Sequence, residues 1–506
     1  MRGVALAGAL LLLGACDWEH YAFMNSLPVD GDPKKNPVVH VYLAVDGLAF
    51  KTVTESMAAG QIPSQGWQAV QFVSTFPSTS DIAWSRILRT ERMNGYELHY
   101  FNPEKDALQN VGYTGLISHG IPPLRGTPWE GPPYLKVFDY HADGYFDAVW
   151  SYGSLELSLM ESLDNLFYVL GGRVRHNPVF VGYVLDIDVM GHMRPAAHVK
   201  VAFLELWRRI EKFRRDHPAQ RFVFTLVSDH GMDFVPAAPG DFIDIRHVME
   251  QAQVRVVDSF AEGRREAGPY AVPILHTPVS YVSLHTELAL ADDVAERLSQ
   301  SPYAEAVVSR SRPDREFDPA GELQWFSVWV AGKRPLHGAH HAGTNAYYLP
   351  EGHDLAALGI KNVTGREHVA DGRKYLEVTD EALYSAGARS PFPDVIYRAR
   401  TALLPVGIKY PADVVFAFKR PYASRGFRTI TGVDESARHG FHGNLDAGAS
   451  MGVVLTEETK PLPAVLRADD LLRFFPKLRQ QVERRTGRRE IHERRTTLDY
   501  ARIKLD

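Results

Sequence analysis

The sequence predicts an α/β protein built on a largely parallel sheet, on three observations. Near-continuous β-branched and aromatic runs, suited to strands buried on both faces, end abruptly in acidic residues. An amphipathic helix lies between two of these runs, which is the order of a βαβ unit. Polar residues gather just beyond the C-terminal ends of three runs, and that is the edge where open parallel sheets bind ligands.

The first run is VVHVYLAV, Val38 to Val45, stopping at Asp46-Gly47. The stretch FVSTFPSTSDIAWSRIL, Phe72 to Leu88, crowds hydroxyl residues between Ser74 and Ser80 and then turns helical. Such residues suit a turn or a helix N-cap. A second strand-like run, PVFVGYVLDID, ends at Asp186 and Asp188, and a third, RFVFTLV, ends at Ser228-Asp229-His230-Gly231. Between them Val199, Phe203, Leu206, Ile210 and Phe213 recur at helical spacing. Beyond Phe234, VSYVSLHTELALADDVAERLSQSPYAEAVVSRS reads as strand, helix and strand of a small satellite. Residues 331 to 430 are rich in Gly, Pro, His and Tyr with few clear periods, and MGVVLTEE returns to core-like sequence. The expected organisation is a signal peptide (1–15), a tether (16–36) and the first part of a catalytic core (37–235). A satellite and an insertion covering the site (236–430), a core return (431–466) and a charged helical tail (467–506) follow.

With 506 residues, 45% of them hydrophobic, the chain can bury a large core. Its net charge of -5 offers no basic footprint, so no nucleic-acid duplex is expected as a partner. The one cysteine, Cys16, rules out intramolecular disulfides and cysteine metal sites. It ends MRGVALAGALLLLGAC, a secretory signal whose apolar run is too short to span a bilayer as a stable helix. Leu13-Gly14-Ala15-Cys16 resembles a bacterial lipobox, which implies export and membrane attachment through a lipid on Cys16. Asp17 resembles an inner-membrane retention signal, so the periplasmic face of that membrane is the expected location in a Gram-negative envelope.

Five pieces carry chemistry: Asp46; the hydroxyl cluster; Asp188 and His192 in DVMGH; Asp229 and His230 in SDHGM; and His439 and His442 in ARHGFHGNLDAGASM. Each alone reads as a turn or a satisfied polar group. Together they bring carboxylates and imidazoles toward one sheet edge, a donor set that suits zinc or a similar divalent ion. Like-charged carboxylates packed together without cations would be costly.

In order, D-G, F-P-S-x-[ST]-x-x-A-W, D-x-x-G-H, S-D-H-G-M and H-G resemble the alkaline phosphatase superfamily, most closely its type I phosphodiesterase/nucleotide pyrophosphatase branch. The resemblance covers roughly residues 37 to 235 and 430 to 458. It implies a three-layer α/β/α core with a largely parallel sheet and an inserted cap or satellite. It also implies two divalent metal ions, most often zinc. One would take Asp188, His192 and a late histidine, and the other Asp46, Asp229, His230 and the nucleophile's oxygen. His442, before the strand that starts at Met451 and within HGNL, matches the late position better than His439. The family's nucleophile is the fifth residue of the segment beginning Phe-Pro, here Ser80, with Thr79 as the alternative. Ala83-Trp84 fall where the family has Ala-Trp.

The implied activity is hydrolysis of a phosphorylated small molecule or lipid head group through a phosphoseryl intermediate. Ile82 stands where the branch has Pro. His99 stands where it often has an Asn that contacts a phosphoryl oxygen, and His99 could donate in its place. These departures leave monoester and diester substrates both open. A sulfatase shares the core but needs a C/S-x-P-x-R motif, absent after Ser80. Phosphoglycerol and phosphoethanolamine transferases usually carry transmembrane helices, and a non-catalytic metal-binding relative would not need every ligand position filled. The run HGAHHAG, with His337 to His341, reads as an exposed loop or a third metal site.

Overall fold

The computed structural model describes residues 38–96, 99–110, 132–141, 154–174, 176–274, 279–314, 317–318, 320–350, 355–370, 373–425, 438–487, 498–500 and 503. Cys16 and the signal and tether residues lie outside them.

Six strands form the first sheet: β1 (Val38–Val45), β2 (Gln68–Val73), β3 (Val179–Val184), β4 (Arg221–Val227), β5 (Met451–Thr456) and β6 (Val465–Arg467). Their spatial order is β6-β2-β5-β4-β1-β3. β1 pairs in parallel with β3 and β4, and β2 with β6. β5 runs antiparallel to both of its neighbours, β2 and β4. The sheet is therefore largely parallel with one reversed strand.

Side chains of β1 alternate between two buried faces, as the pleat requires. Val39, Val41, Leu43 and Val45 pack with Val53 of α1 (Phe50–Ala58), Leu163 and Leu166 of α3 (Leu155–Arg173), and Phe203 and Leu206 of α5 (Ala196–Asp216). Tyr42 and Ala44 face the other way, toward Ala83, Trp84 and Ile87 of α2 (Ser80–Ile87) and Leu478 and Val482 of α7 (Pro476–Thr486). Helices cover both faces, which makes a three-layer α/β/α core. β6 closes the core return by extending the sheet, and α7 makes the start of the charged tail part of this core by covering one face of it.

The second strand-like run stops sooner than its sequence suggests. β3 ends at Val184, and Asp186 already opens a helix, α4 (Asp186–Met193). Carboxylates are favoured in a first helical turn, beside free N–H groups and the positive end of the dipole. Asp186 also accepts a hydrogen bond from Ser158 Oγ at 2.8 Å.

Residues 255–418 contribute a second, ten-stranded sheet among the described residues. The segment read as a small satellite supplies Tyr281–His285, a helix over Ala291–Ser299, and Ala304–Arg310, the two strands flanking Val414–Phe418 in that sheet's interior. The stretch from 331, where few periods were legible, holds strands Leu336–His341, Ala346–Pro350, Arg366–Ala370 and Arg373–Thr379, and helix α6 (Val395–Ala402). HGAHH is strand rather than loop. His340 is buried, its Nε2–H donating to Asn345 Oδ1 at 3.1 Å while Nδ1 accepts from Arg400 at 3.2 Å. Both ring nitrogens are engaged, and none of these histidines joins a metal-competent group among the described residues. No described helix is long and apolar enough to cross a membrane.

Candidate metal and nucleophile site

Strand direction explains why distant residues converge. Asp46 leaves the C-terminal end of β1, Asp188 and His192 sit on α4 just after β3, and Asp229 and His230 follow β4. β4, β1 and β3 are adjacent and parallel, so all five residues emerge at one edge. β2 points the same way and delivers the 74–80 loop there. Reversed β5 brings its N-terminal end to that edge, and with it His442. Two glycines permit the close approach. A Cβ on Gly47, whose φ is +66°, would stand 2.6 Å from Asp188 Oδ1, and one on Gly231 would stand 2.5 Å from the Gly448 carbonyl oxygen.

Two triplets have ligand atoms mutually within 4.8 Å: Asp46, Asp229 and His230; and Asp188, His230 and His442. His230 Nε2 lies 3.3 Å from Asp46 Oδ1, 3.4 Å from Asp229 Oδ2 and 4.0 Å from Asp188 Oδ1, so it reaches both. His192 Nε2 is 3.4 Å from Asp188 Oδ2, and His442 Nε2 is 3.6 Å from Asp188 Oδ1. The i, i+4 spacing of Asp188 and His192 puts both on one face of α4. Ser80 Oγ donates to Asp46 Oδ1 at 3.0 Å and lies 3.5 Å from His230 Nε2. The hydroxyl does not cap α2: Ser80 is its first residue, and Thr79 occupies the N-cap position.

This donor set fits a cation. The Nδ1 atoms of His192, His230 and His442 face the carbonyl oxygens of Gly440 (2.9 Å), Gly231 (2.8 Å) and Ser78 (2.7 Å). A carbonyl only accepts, so each Nδ1 carries a hydrogen and each ring turns its Nε2 to the site, the atom that would ligate a cation. The Nε2 atoms of His192 and His442 stand 3.0 Å apart, where two lone pairs need a positive charge between them. Among the described residues Asp188 Oδ1 and Asp229 Oδ2 are buried without a hydrogen-bond partner, and such atoms are costly unless satisfied. Among the described residues none of the three carboxylates is paired with Lys or Arg; each faces histidine.

The titration directions of Asp229 and His230 agree with that deficit of positive charge. Burial, then Asp46, pushes Asp229 well above the carboxylate range. Burial opposes charging His230, but Asp229, Asp46 and Asp188 outweigh it and raise the imidazole to about 10. Burial and the neighbouring His230 hold His442 well below its ordinary value, although Asp188 pulls upward. The cluster could hold a metal ion.

Of the alternative candidates, His439 is half-buried, its backbone N–H bonds the His192 carbonyl at 2.8 Å, and it joins neither triplet. The hydroxyl of Thr79 is buried and makes no hydrogen bond among the described residues. His99 begins a short strand, His99–Asn102, and its side chain is outside the described residues.

Three residues went unassigned in the sequence. Ser78, which reads as a turn residue, instead accepts from Gly443 N–H at 2.9 Å and ties the hydroxyl loop to the segment carrying His442. Arg398 of α6, buried, donates to the Thr75 carbonyl (3.0 Å), the Leu445 carbonyl (2.9 Å) and Ser450 Oγ (2.6 Å), joining the same two segments. Tyr183, second from the end of β3, donates its hydroxyl to Asp46 Oδ2. Nothing in the sequence marks Arg398; a tyrosine hydroxyl near the end of a buried strand was the available signal for Tyr183.

No family model and no curated protein matches the chain. Among solved structures it is similar to human ectonucleotide pyrophosphatase/phosphodiesterase 5, at 10% identity and a TM-score of 0.44 over 87% of this chain and 95% of that one. It is also similar to the murine enzyme of the same name, at 10% identity and 0.43, and to an inactive murine variant in complex with AMP, at 9% and 0.42, with the same shares covered.

Proposed function

We propose that this chain is a metal-dependent hydrolase of phosphate mono- or diesters, of the alkaline phosphatase superfamily kind, with Ser80 as nucleophile. The observation that carries the reading is the 3.0 Å bond from Ser80 Oγ to Asp46 Oδ1, at the margin of a buried carboxylate–imidazole cluster short of positive charge. Asp46, Asp229 and His230 would hold one divalent ion, zinc by preference, and Asp188, His192 and His442 a second. Such ions, when bound, supply Lewis acidity to the nucleophilic oxygen and offset charge on phosphoryl oxygens.

The chain's own residues do the rest. Ser80 is half-buried, and Asp46 Oδ1 accepts a hydrogen bond from Oγ and orients it. Attack forms the Oγ–P bond and breaks the bond from phosphorus to the leaving alcohol oxygen. The proton lost from Oγ is balanced by one taken up by the leaving alcohol; water then adds to phosphorus, the Oγ–P bond breaks, and a proton from that water restores the Ser80 hydroxyl. Free N–H groups in the first turn of α2 suit the phosphoryl oxygens.

The purified chain is expected to hydrolyse an aryl phosphate, to lose that activity on dialysis against a chelator and to regain it with zinc. A panel of monoesters, diesters, sulfate esters and phospholipid head groups then assigns the substrate. An inert chain at full zinc occupancy would sink the enzyme reading and favour a metal-binding protein without catalysis.

Export and lipid attachment through Cys16 belong to the same proposal, supported by the sequence Leu13-Gly14-Ala15-Cys16 alone. Cys16→Ser is expected to release the protein from the membrane fraction; unchanged sedimentation counts against the anchor.

A further inference from the structure

We propose that Tyr183 is a positioning residue that makes Asp46 a one-oxygen ligand and so sets the metal affinity of the Asp46–Asp229–His230 group. The inference rests on the metal reading above and goes beyond it to a residue outside the ligand set.

Asp46 has two oxygens with separate duties. Oδ1 faces Ser80 Oγ at 3.0 Å and His230 Nε2 at 3.3 Å, while Oδ2 accepts the Tyr183 hydroxyl. A phenol donor on one oxygen fixes the rotation of the carboxylate about its last bond and leaves one oxygen for the ion and the serine. Asp229 follows the same scheme: Gly47 N–H holds Oδ1 at 3.3 Å, while Oδ2 faces His230 Nε2 at 3.4 Å and makes no hydrogen bond among the described residues.

The Tyr183 ring cannot swing away. It is stacked on Phe138 with centroids 5.0 Å apart and planes 10° apart, and meets Trp84 edge-on at 6.0 Å. Its backbone is fixed as well, because Tyr183 pairs with Ala44 in register, two residues before Asp46. A ligating carboxylate held this way is a recurring feature of metal sites, and removing the outer donor typically weakens binding about 10–100-fold.

A second tyrosine in the same aromatic cluster provides the control. Tyr134 donates to Asp81 Oδ1 at 2.8 Å and not to Asp46. The experiment is zinc titration of the full chain against a competing chromophoric chelator, for wild type, Tyr183→Phe and Tyr134→Phe, with the melting temperature of each zinc-free protein.

Tyr183→Phe is expected to weaken one of two bound zinc ions about 10–100-fold and leave the other unchanged, with kcat lowered more than KM is raised. Tyr134→Phe is expected to bind zinc as wild type does. Equal zinc affinity in Tyr183→Phe and wild type overturns the role of Tyr183 alone. So does equal weakening of both ions, similar weakening in Tyr134→Phe, or a large fall in the zinc-free melting temperature specific to Tyr183→Phe. A wild-type chain that binds no zinc overturns both this inference and the metal reading beneath it.

Discussion

Ser80→Ala is expected to cut phosphoester hydrolysis by roughly 10⁴-fold or more, the scale of losing a nucleophile, with zinc content and melting temperature nearly unchanged. The prediction is sharp because Ser80 has little structural duty. It is half-buried, its hydroxyl does not cap α2, and alanine is a good residue at a first helical position. The lost bond to Asp46 leaves Oδ1 facing His230 and leaves Oδ2 on Tyr183. Thr79→Ala separates the candidates: it is expected to retain most activity, since the Thr79 hydroxyl makes no hydrogen bond among the described residues. Retention of a tenth of the rate by Ser80→Ala, or a larger loss in Thr79→Ala, would move the nucleophile elsewhere.

The largest stability effect is expected at Arg467. Its guanidinium, on β6, is buried between Asp380 at 2.6 Å and Asp394 at 2.7 Å, with the Tyr397 ring 3.5 Å away. Arg467→Met preserves much of the apolar stem and strands two buried carboxylates. Breaking one such pair costs about 3–5 kcal/mol, so urea unfolding should show a loss at the upper end of that range. Converting both partners to Asn in the same chain should recover much of it, because the penalty comes from the stranded charges. A loss below about 1 kcal/mol, the level of an exposed pair, would show that the network carries no such weight. The consequence extends to the site: Asp394 directly precedes α6, whose Arg398 holds the hydroxyl loop against the His442 segment.

The two sheets differ in how legible they were. β1 and β4 could be read almost to the residue, because strands buried on both faces are uninterrupted apolar runs with hard polar stops. The late histidine was legible as a pair of candidates, and geometry brings His442 rather than His439 to Asp188. The second sheet was obscure for a physical reason. Its strands Arg366–Ala370 and Arg373–Thr379 mix exposed charge with few apolar positions, and Leu336–His341 buries a histidine where a hydrocarbon would have marked a strand. Arg398 and Arg467 were invisible as structural centres, since in a sequence a buried arginine looks like a surface one. Ser78 was hidden in a different way: its partner lies 365 positions away, beyond the reach of any local pattern.

The reversed strand has a consequence for how the molecule comes into being. Within the first sheet, β5 alone joins β2 and β6 to β4, β1 and β3. Before Met451 has been synthesised, β4, β1 and β3 can pair but β2 has neither of its neighbours in this sheet, and the open edges this leaves invite pairing with other chains. Closing it requires a contact across most of the polypeptide, the kind of long-range pairing that makes folding slow. Ser80 and five of the six candidate ligands are made early, but His442 and the strand that seats it come late. A chain that stops short of these residues can assemble the Asp46–Asp229–His230 group from β1 and β4, but it lacks the His442 of the Asp188 group and the strand that seats the Ser80 loop beside both.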